Sequence, residues 1–221
     1  MLSTSNNHCM NLVNHRTLQR LTKGGKVFIM RVFAGGQRMR TNHLRALAKV
    51  LACLQGQRFA GAVIMRAEWS VCQAAKGQQE HLQVLKDRHN LMAVCCRTEG
   101  EQLLVTMLLG HKPQQLAVDL SNVDKSDLTS QRSNLTRWVI PAAEVQAFTA
   151  AVGDGNDIHK GAVPVIPGLL LLEKLLGQRP ADAGKVTLRF FHAAYAGDVF
   201  VDWSSGKLWQ KARCTASFAW Q

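Results

Sequence analysis

The sequence predicts an α+β protein in which an antiparallel sheet wraps around a buried helix, with that arrangement occurring twice in one chain. Three observations carry this. Leu169–Leu176 is apolar on nearly all sides, so a helix there must be buried. Short β-branched or apolar segments follow it, and similar segments follow an earlier helical pattern. The order strand, helix, strands therefore occurs in both halves. Residue identity between the halves is slight, so this is an echo of architecture rather than a demonstrated repeat.

Residues 1–25 have no clean period and end in Gly24-Gly25, as a poorly ordered leader would. Residues 26–112 form the first half. Lys26–Phe33 reads as a strand. Thr41 suits the cap of a helix through Leu54, with Leu44, Leu47, Ala48 and Leu51 on one face, and Gly56 closes it. Four strand-like segments come next: Ala62–Cys72, Glu80–Lys86, Leu91–Arg97 and Gln102–Leu109, the last two joined as a hairpin. Residues 113–133 are polar and rich in Ser, Asp and Gln, the composition of a linker.

Residues 134–221 form the second half. Leu135–Ile140 is a short strand, and Pro141 starts a helix over Ala142–Val152 with Val145, Phe148 and Val152 inward. A Gly/Asp/Asn loop spans Gly153–Gly161, and the apolar helix begins near Pro167-Gly168. Three strands close the chain: Lys185–His192, Asp198–Trp203 and Leu208–Trp220, the last with a break near Cys214.

The chain has 221 residues, 47% hydrophobic and 19% charged, which is enough to bury a core and argues against disorder. Its apolar run from Val163 to Leu176 holds two prolines, a Glu and a Lys, so it does not read as a membrane span. Met1–Asn14 lacks a secretory core. Six cysteines form no C-x-x-C pair, which fits free thiols in a reducing compartment, and the expected location is the cytoplasm, or a mitochondrion if the chain is eukaryotic.

Nearly all of the formal charge of +12 lies before Glu68, the first acidic residue. A solvated basic face with a ragged leader explains this most simply. A weak transit-peptide character or attraction for anionic partners, such as coenzyme A phosphates or an acidic carrier protein, also fits. Scattered Lys/Arg without interleaved aromatics argue against a nucleic-acid surface.

The densest chemical signal is Gly153-Asp154-Gly155-Asn156-Asp157-Ile158-His159, an Asp and a His five residues apart in a Gly-rich loop between helices. The carboxylate can orient a water, and the imidazole can take or give its proton near neutral pH. The same composition also suits an ordinary tight turn. Just downstream, Pro167-Gly168 opens the apolar helix. A helix N-terminus offers free N–H groups and a positive dipole end, and Gly allows close approach.

Phe148–His159 (FTAAVGDGNDIH) resembles the MaoC-like hydratase motif F-x-x-x-[ST]-G-D-x-N-P-[IL]-H, with Asp154, Asn156 and His159 on its Asp, Asn and His. His159–Glu173 (HKGAVPVIPGLLLLE) resembles the FabZ/FabA-type dehydratase run, matching at His159, Pro164, Pro167, Gly168 and Glu173. Phe190–Asp198 resembles a MaoC-like strand-turn-strand whose turn would be Gly197-Asp198. Both families share the hot-dog fold. The resemblance covers residues 134–221 well and residues 26–112 only by element order. It implies a tandem hot dog with a catalytic second half, because the first half carries no D-x-N-x-x-H.

The resemblance further implies a hydratase/dehydratase acting on acyl thioesters of coenzyme A or a carrier protein. Asp154 and His159 would hold and deprotonate water, Asn156 would support the loop, and the Gly168 N–H would stabilise the thioester oxygen. Glu173 is ambiguous: a catalytic carboxylate in a FabZ-like site, otherwise a group at the solvent edge or paired with Arg189. No metal or redox cofactor is expected beyond the phosphopantetheine of the substrate. Pairing would be satisfied within the chain as a pseudo-dimer or by a homodimer. The departures are Asp157 where the motif has Pro, Lys160-Gly161-Ala162 after the His, and Pro167-Gly168 before the helix. Asp157 is expected to raise the His159 pKa or perturb Asp154. A hot-dog thioesterase and a non-catalytic acyl-thioester-binding subunit are the competing functions.

Overall fold

The elements that position the site follow from where the chain places its apolar residues. The structure, a computed structural model, describes residues 36–72, 81–98, 100–110 and 135–221. The leader, the expected strand at residues 26–33 and the linker lie outside the described residues.

Helix α1 (Gly36–Ala52) buries Leu44, Leu47, Ala48 and Leu51, the i, i+3, i+4, i+7 face expected of it. It begins at Gly36, so Thr41 falls inside the helix rather than at its cap. Four strands follow: β1 (Val63–Val71), β2 (His81–Asp87), β3 (Leu91–Thr98) and β4 (Glu101–Leu108). In the second half come β5 (Leu135–Ile140), helix α2 (Ala142–Val152) and helix α3 (Gly168–Leu176). Strands β6 (Lys185–Phe190), β7 (Gly197–Asp202), β8 (Lys207–Gln210) and β9 (Arg213–Trp220) end the chain.

All nine described strands form one antiparallel sheet in the order β2-β3-β4-β1-β6-β9-β8-β7-β5. With β5 set aside at one edge, the order is symmetric about the β1–β6 seam. Strands β1–β4 after α1 run outward from the β1–β6 seam as β6–β9 after α3 do on the other side. On one face, α1 packs against β2, β3 and β4 and also against α2 and α3, while α3 packs on β1. Helix α3 buries Leu169–Leu172, Glu173 and Leu175, so it is enclosed nearly all round.

The seam sets Arg66 directly opposite Arg189 and Glu68 opposite Thr187. Two like charges across a ladder repel. Glu68 relieves this: it accepts from Arg66 and Lys185, each at 2.7 Å, and from the Thr187 hydroxyl at 3.2 Å. Burial pushes the Glu68 carboxyl up, but Lys185 and Arg66 outweigh it and hold the pKa below the usual carboxylate value.

One strand end differs from expectation. β6 stops at Phe190, because the Phe191 and His192 N–H groups both donate to Thr215 O and leave the ladder. The final strand is broken near Cys214 as expected: β8 ends at Gln210, Lys211 turns the chain with a φ of 54°, and β9 begins at Arg213. Cys95 and Cys96 alternate faces as neighbours on a strand must, yet both are buried. Burial drives the Cys96 thiol up to about 12, so it stays protonated.

Candidate functional site

Helix α2 ends where Gly153 adopts φ 76°, the left-handed conformation that glycine tolerates best. The Gly153 N–H donates to Thr149 O, and the Asp154 N–H donates to the same carbonyl at 2.9 Å. This tight exit leaves the Asp154 side chain about a third exposed. Its Oδ1 accepts the Asn156 N–H at 2.9 Å, which leaves Oδ2 for other partners.

Asn156 caps the 3-10 turn Asp157–His159, accepting weakly from Ile158 N–H at 3.4 Å. Its amide also grips the first half of the chain. Nδ2 donates to Ala62 O at 2.8 Å, and Oδ1 accepts from Gly61 N–H at 3.1 Å. The loop of one half is thereby fixed to the entry of β1 in the other.

The 3-10 turn drives His159 inward, where it is 8% exposed. Its Nδ1 lies 2.7 Å from Val165 O. A carbonyl only accepts, so Nδ1 carries the proton and a neutral ring keeps its lone pair on Nε2. Nε2 stands 3.5 Å from Asp154 Oδ2. That is too long for a strong direct hydrogen bond and short enough for one water to touch both. Burial lowers the His159 pKa from its usual value; the Asp154 charge and the Val165 carbonyl oppose this without overcoming it.

Asp157, expected to press on this pair, points to solvent and accepts from Lys160 at 2.6 Å. Lys160 holds the Asp157 pKa below the ordinary carboxylate value. The two departures from the motif satisfy each other at the surface, and the His159 pKa moves down rather than up.

Glu173 is buried, but neither of the alternatives to a catalytic role foresaw its partner. Arg45 of α1 grips it at both oxygens, Nε–Oε1 at 2.7 Å and Nη2–Oε2 at 3.1 Å. The Arg45 guanidinium also lies 5.8 Å from the centre of the Phe148 ring. Arg189 sits instead on the seam opposite Arg66. A carboxylate held bidentately by arginine is an anchor between α1 and α3. The two residues are 128 apart in the chain, so no local pattern points to the pair.

Gly168 opens α3, and the first N–H groups of a helix have no intrahelical partner. The structure adds a packing reason for this glycine. A Cβ there would lie 2.8 Å from Phe190 Cζ, so the ring occupies the space a side chain would need.

A cavity of about 350 Å³ lies between the halves. Ala48, Leu51 and Ala52 of α1, Phe59 and Met107 form one wall. Phe148, Asp154, Asn156, Pro167 and Leu169 form the other, which brings the start of α3 to its edge. Asp154 is the acidic side chain among the lining residues, and its Oδ2 faces His159 Nε2. Among the described residues, no group of three or more His, Cys, Asp and Glu is placed to hold a metal ion, and no helix is long and apolar enough to cross a membrane.

No family model and no curated protein matches the chain. Among solved structures it is similar to full-length peroxisomal multifunctional enzyme type 2 from Drosophila melanogaster, at 14% identity and a TM-score of 0.48, over 80% of this chain and 40% of that one. It is similar to a MaoC-like dehydratase from Phytophthora capsici at 10% identity and a TM-score of 0.44, over 76% and 72% of the two chains. An acyl-ACP thioesterase from Bacteroides thetaiotaomicron matches at 8% identity and a TM-score of 0.41, over 72% and 75%. At such identities and TM-scores the functional reading has to rest on this chain's own side chains.

Proposed function

We propose that the chain is a tandem hot-dog hydratase/dehydratase that adds water reversibly to the double bond of a trans-2-enoyl thioester. The observation that carries this is the His159–Asp154 pair. A neutral imidazole, its tautomer set by Val165 O, presents Nε2 to a carboxylate oxygen 3.5 Å away, and that carboxylate, Asp154, lines a cavity that Leu51, Phe59, Met107 and Phe148 also line. The symmetric strand order about the β1–β6 seam supports the tandem reading, with the pairing of two hot dogs satisfied inside one chain.

In hydration, a water would donate hydrogen bonds to Asp154 Oδ2 and His159 Nε2 and attack C3 of the enoyl group. Its proton passes to this pair as the C3–O bond forms. The electrons of the double bond move toward the thioester oxygen, which the N–H groups at the start of α3, Gly168 first, would stabilise. A proton then adds at C2, so one water is added and nothing is oxidised. In dehydration the pair removes the C2 proton and protonates the leaving hydroxyl. Asn156 acts by holding the loop. Glu173, neutralised by Arg45, is assigned to architecture. The acyl group is carried as a thioester of coenzyme A or a carrier protein.

The test is loss of the enoyl ultraviolet absorbance with trans-2-butenoyl-CoA and trans-2-octenoyl-CoA. Wild type should consume the enoyl group, with a loss of about 100-fold or more in kcat for both Asp154→Asn and His159→Ala. A flat trace with free thiol released from saturated octanoyl-CoA would replace this reading with a thioesterase. Binding without turnover, indifferent to Asp154→Asn, would replace it with a binding subunit.

A further inference from the structure

We infer that the face of the sheet turned away from the core, at the β1–β6 seam, docks the chain on a bilayer rich in anionic lipid. The inference stands on this face and is independent of the reaction proposed for the cavity. Successive residues of a strand point to opposite faces, and directly opposed residues of an antiparallel pair share one. Ala67, Trp69, Val186 and Leu188 join the core, so Arg66, Glu68, Lys185, Thr187 and Arg189 between and beside them belong to the other face.

Ladder register collects cations on this face. One row runs Thr106, Arg66, Arg189, Ser217, Lys207 from β4 to β8. Four residues along the strands, a second row runs Arg97, Gln102, Ser70, Lys185 from β3 to β6. Strands lie about 4.8 Å apart and rise about 3.3 Å per residue, so Arg97, Arg66, Arg189 and Lys185 share a patch about 14 Å on a side. Lys207, at its margin, is opposed by Asp202. Within the patch the acidic side chain is Glu68, which Arg66 and Lys185 already engage. Among the described residues no carboxylate pairs with Arg97 or Arg189. Arg189 and Arg66 are both exposed and stand directly opposite each other, a repulsion that an external anion relieves.

Cations spread over two dimensions match a plane of anionic headgroups better than the single line of phosphates in a nucleic-acid strand. Neither row places an aromatic ring within the patch on which a base could stack. Exposed apolar side chains stand next to the cations instead. Met65, before Arg66, is 44% exposed, and Phe191, two residues past Arg189, is 55% exposed. A basic surface carrying such residues suits the boundary between headgroups and acyl chains.

The experiment is co-sedimentation of the full chain with phosphatidylcholine vesicles, with and without phosphatidylglycerol at about one third of the lipid, at low and high salt. Wild type should bind the phosphatidylglycerol vesicles, release them at high salt and ignore phosphatidylcholine alone. A cation close to an anionic bilayer strengthens binding by about fivefold. Arg189→Gln and Arg97→Gln should therefore each weaken binding about fivefold, and the double variant about 25-fold. Glu68→Gln, which removes the opposing charge, should strengthen it by about the factor that one cation contributes. Thermal melts accompany every variant. Removing Arg189 lifts its repulsion with Arg66, so that melt should not fall and the lost binding cannot be lost folding. Failure of wild type to bind phosphatidylglycerol vesicles overturns the inference. So does binding that the double variant leaves unchanged, which would assign it to the basic first third of the chain. Tighter binding to single-stranded oligothymidylate than to the vesicles, weakened by the same substitutions, overturns it in favour of a nucleic-acid surface.

Discussion

Replacing Asn156 by alanine tests whether the loop of one half is held by the other. The side chain makes two good hydrogen bonds to the first half, Nδ2 to Ala62 O at 2.8 Å and Oδ1 from Gly61 N–H at 3.1 Å. A third, from Ile158 N–H at 3.4 Å, is weak. A typical intramolecular hydrogen bond contributes about 1 kcal/mol net, and stranding a buried partner costs about 1–3 kcal/mol. Both bonds are only part-buried, so water can replace part of the loss, and Asn156→Ala should destabilise by about 2–3 kcal/mol. For a domain of this size that lowers Tm by about 4–12 °C. Asn156→Asp is the sharper variant. It keeps an acceptor for Gly61 N–H but turns a carboxylate oxygen toward Ala62 O, so it should be no more stable than alanine. The assay is thermal unfolding by circular dichroism, paired with enoyl-thioester turnover. Loosening the loop displaces Asp154, and a misplacement of about 1 Å can lower turnover about 100-fold. A Tm within about 1 °C of wild type for Asn156→Ala, or an aspartate variant as stable as asparagine, would refute the clasp.

The buried His159 should titrate below the ordinary histidine value, because burial lowers its pKa. A folded-state pKa below the unfolded one gives stability that is full above pH 6.5 and is lost as pH falls through the folded pKa. Melts across that range check this, and NMR titration of the ring in Asp154→Asn should show a further fall, since the Asp154 charge is the largest raising influence; a rise would contradict it. Arg45→Ala leaves Glu173 buried and unpaired, and with Arg45 partly exposed the loss should be about 1–3 kcal/mol in denaturant unfolding. Arg45→Met with Glu173→Leu should recover most of it; Glu173→Gln should keep turnover within about tenfold, and a loss as deep as that of Asp154→Asn would make Glu173 a reacting group. Gly168→Ala forces Phe190 aside and should destabilise by about 1–3 kcal/mol. Adding Phe190→Leu should restore stability, and failure to do so would mean the glycine is needed for something other than the ring.

The elements were legible wherever periodicity is local. Leu44, Leu47 and Leu51 mark the face of α1, and Val145, Phe148 and Val152 that of α2, because 3.6 residues per turn writes burial directly into the sequence. The strands of the meander appear within a residue or two of their expected ends. The misjudged end of β6 has a local tertiary cause: Thr215 O takes two N–H groups after Phe190. Asp154 and His159 were legible as a pair because both lie in one short Gly-rich loop.

Local patterning set the helices, most strands, the buried character of Leu169–Leu176 and the loop that carries the Asp and the His. These depend on spacing between near neighbours, which the chain cannot hide. Tertiary structure alone decided which groups meet across the halves. It chose Arg45 for Glu173, Gly61 and Ala62 for Asn156, Phe190 over Gly168, and Lys160 rather than His159 as the partner of Asp157. Most of these partners are far apart in the chain, and each is selected by which face a strand or helix turns inward. It also set the direction of the His159 shift, since burial outweighs a nearby carboxylate only when the side chain is enclosed, and enclosure belongs to the packed whole.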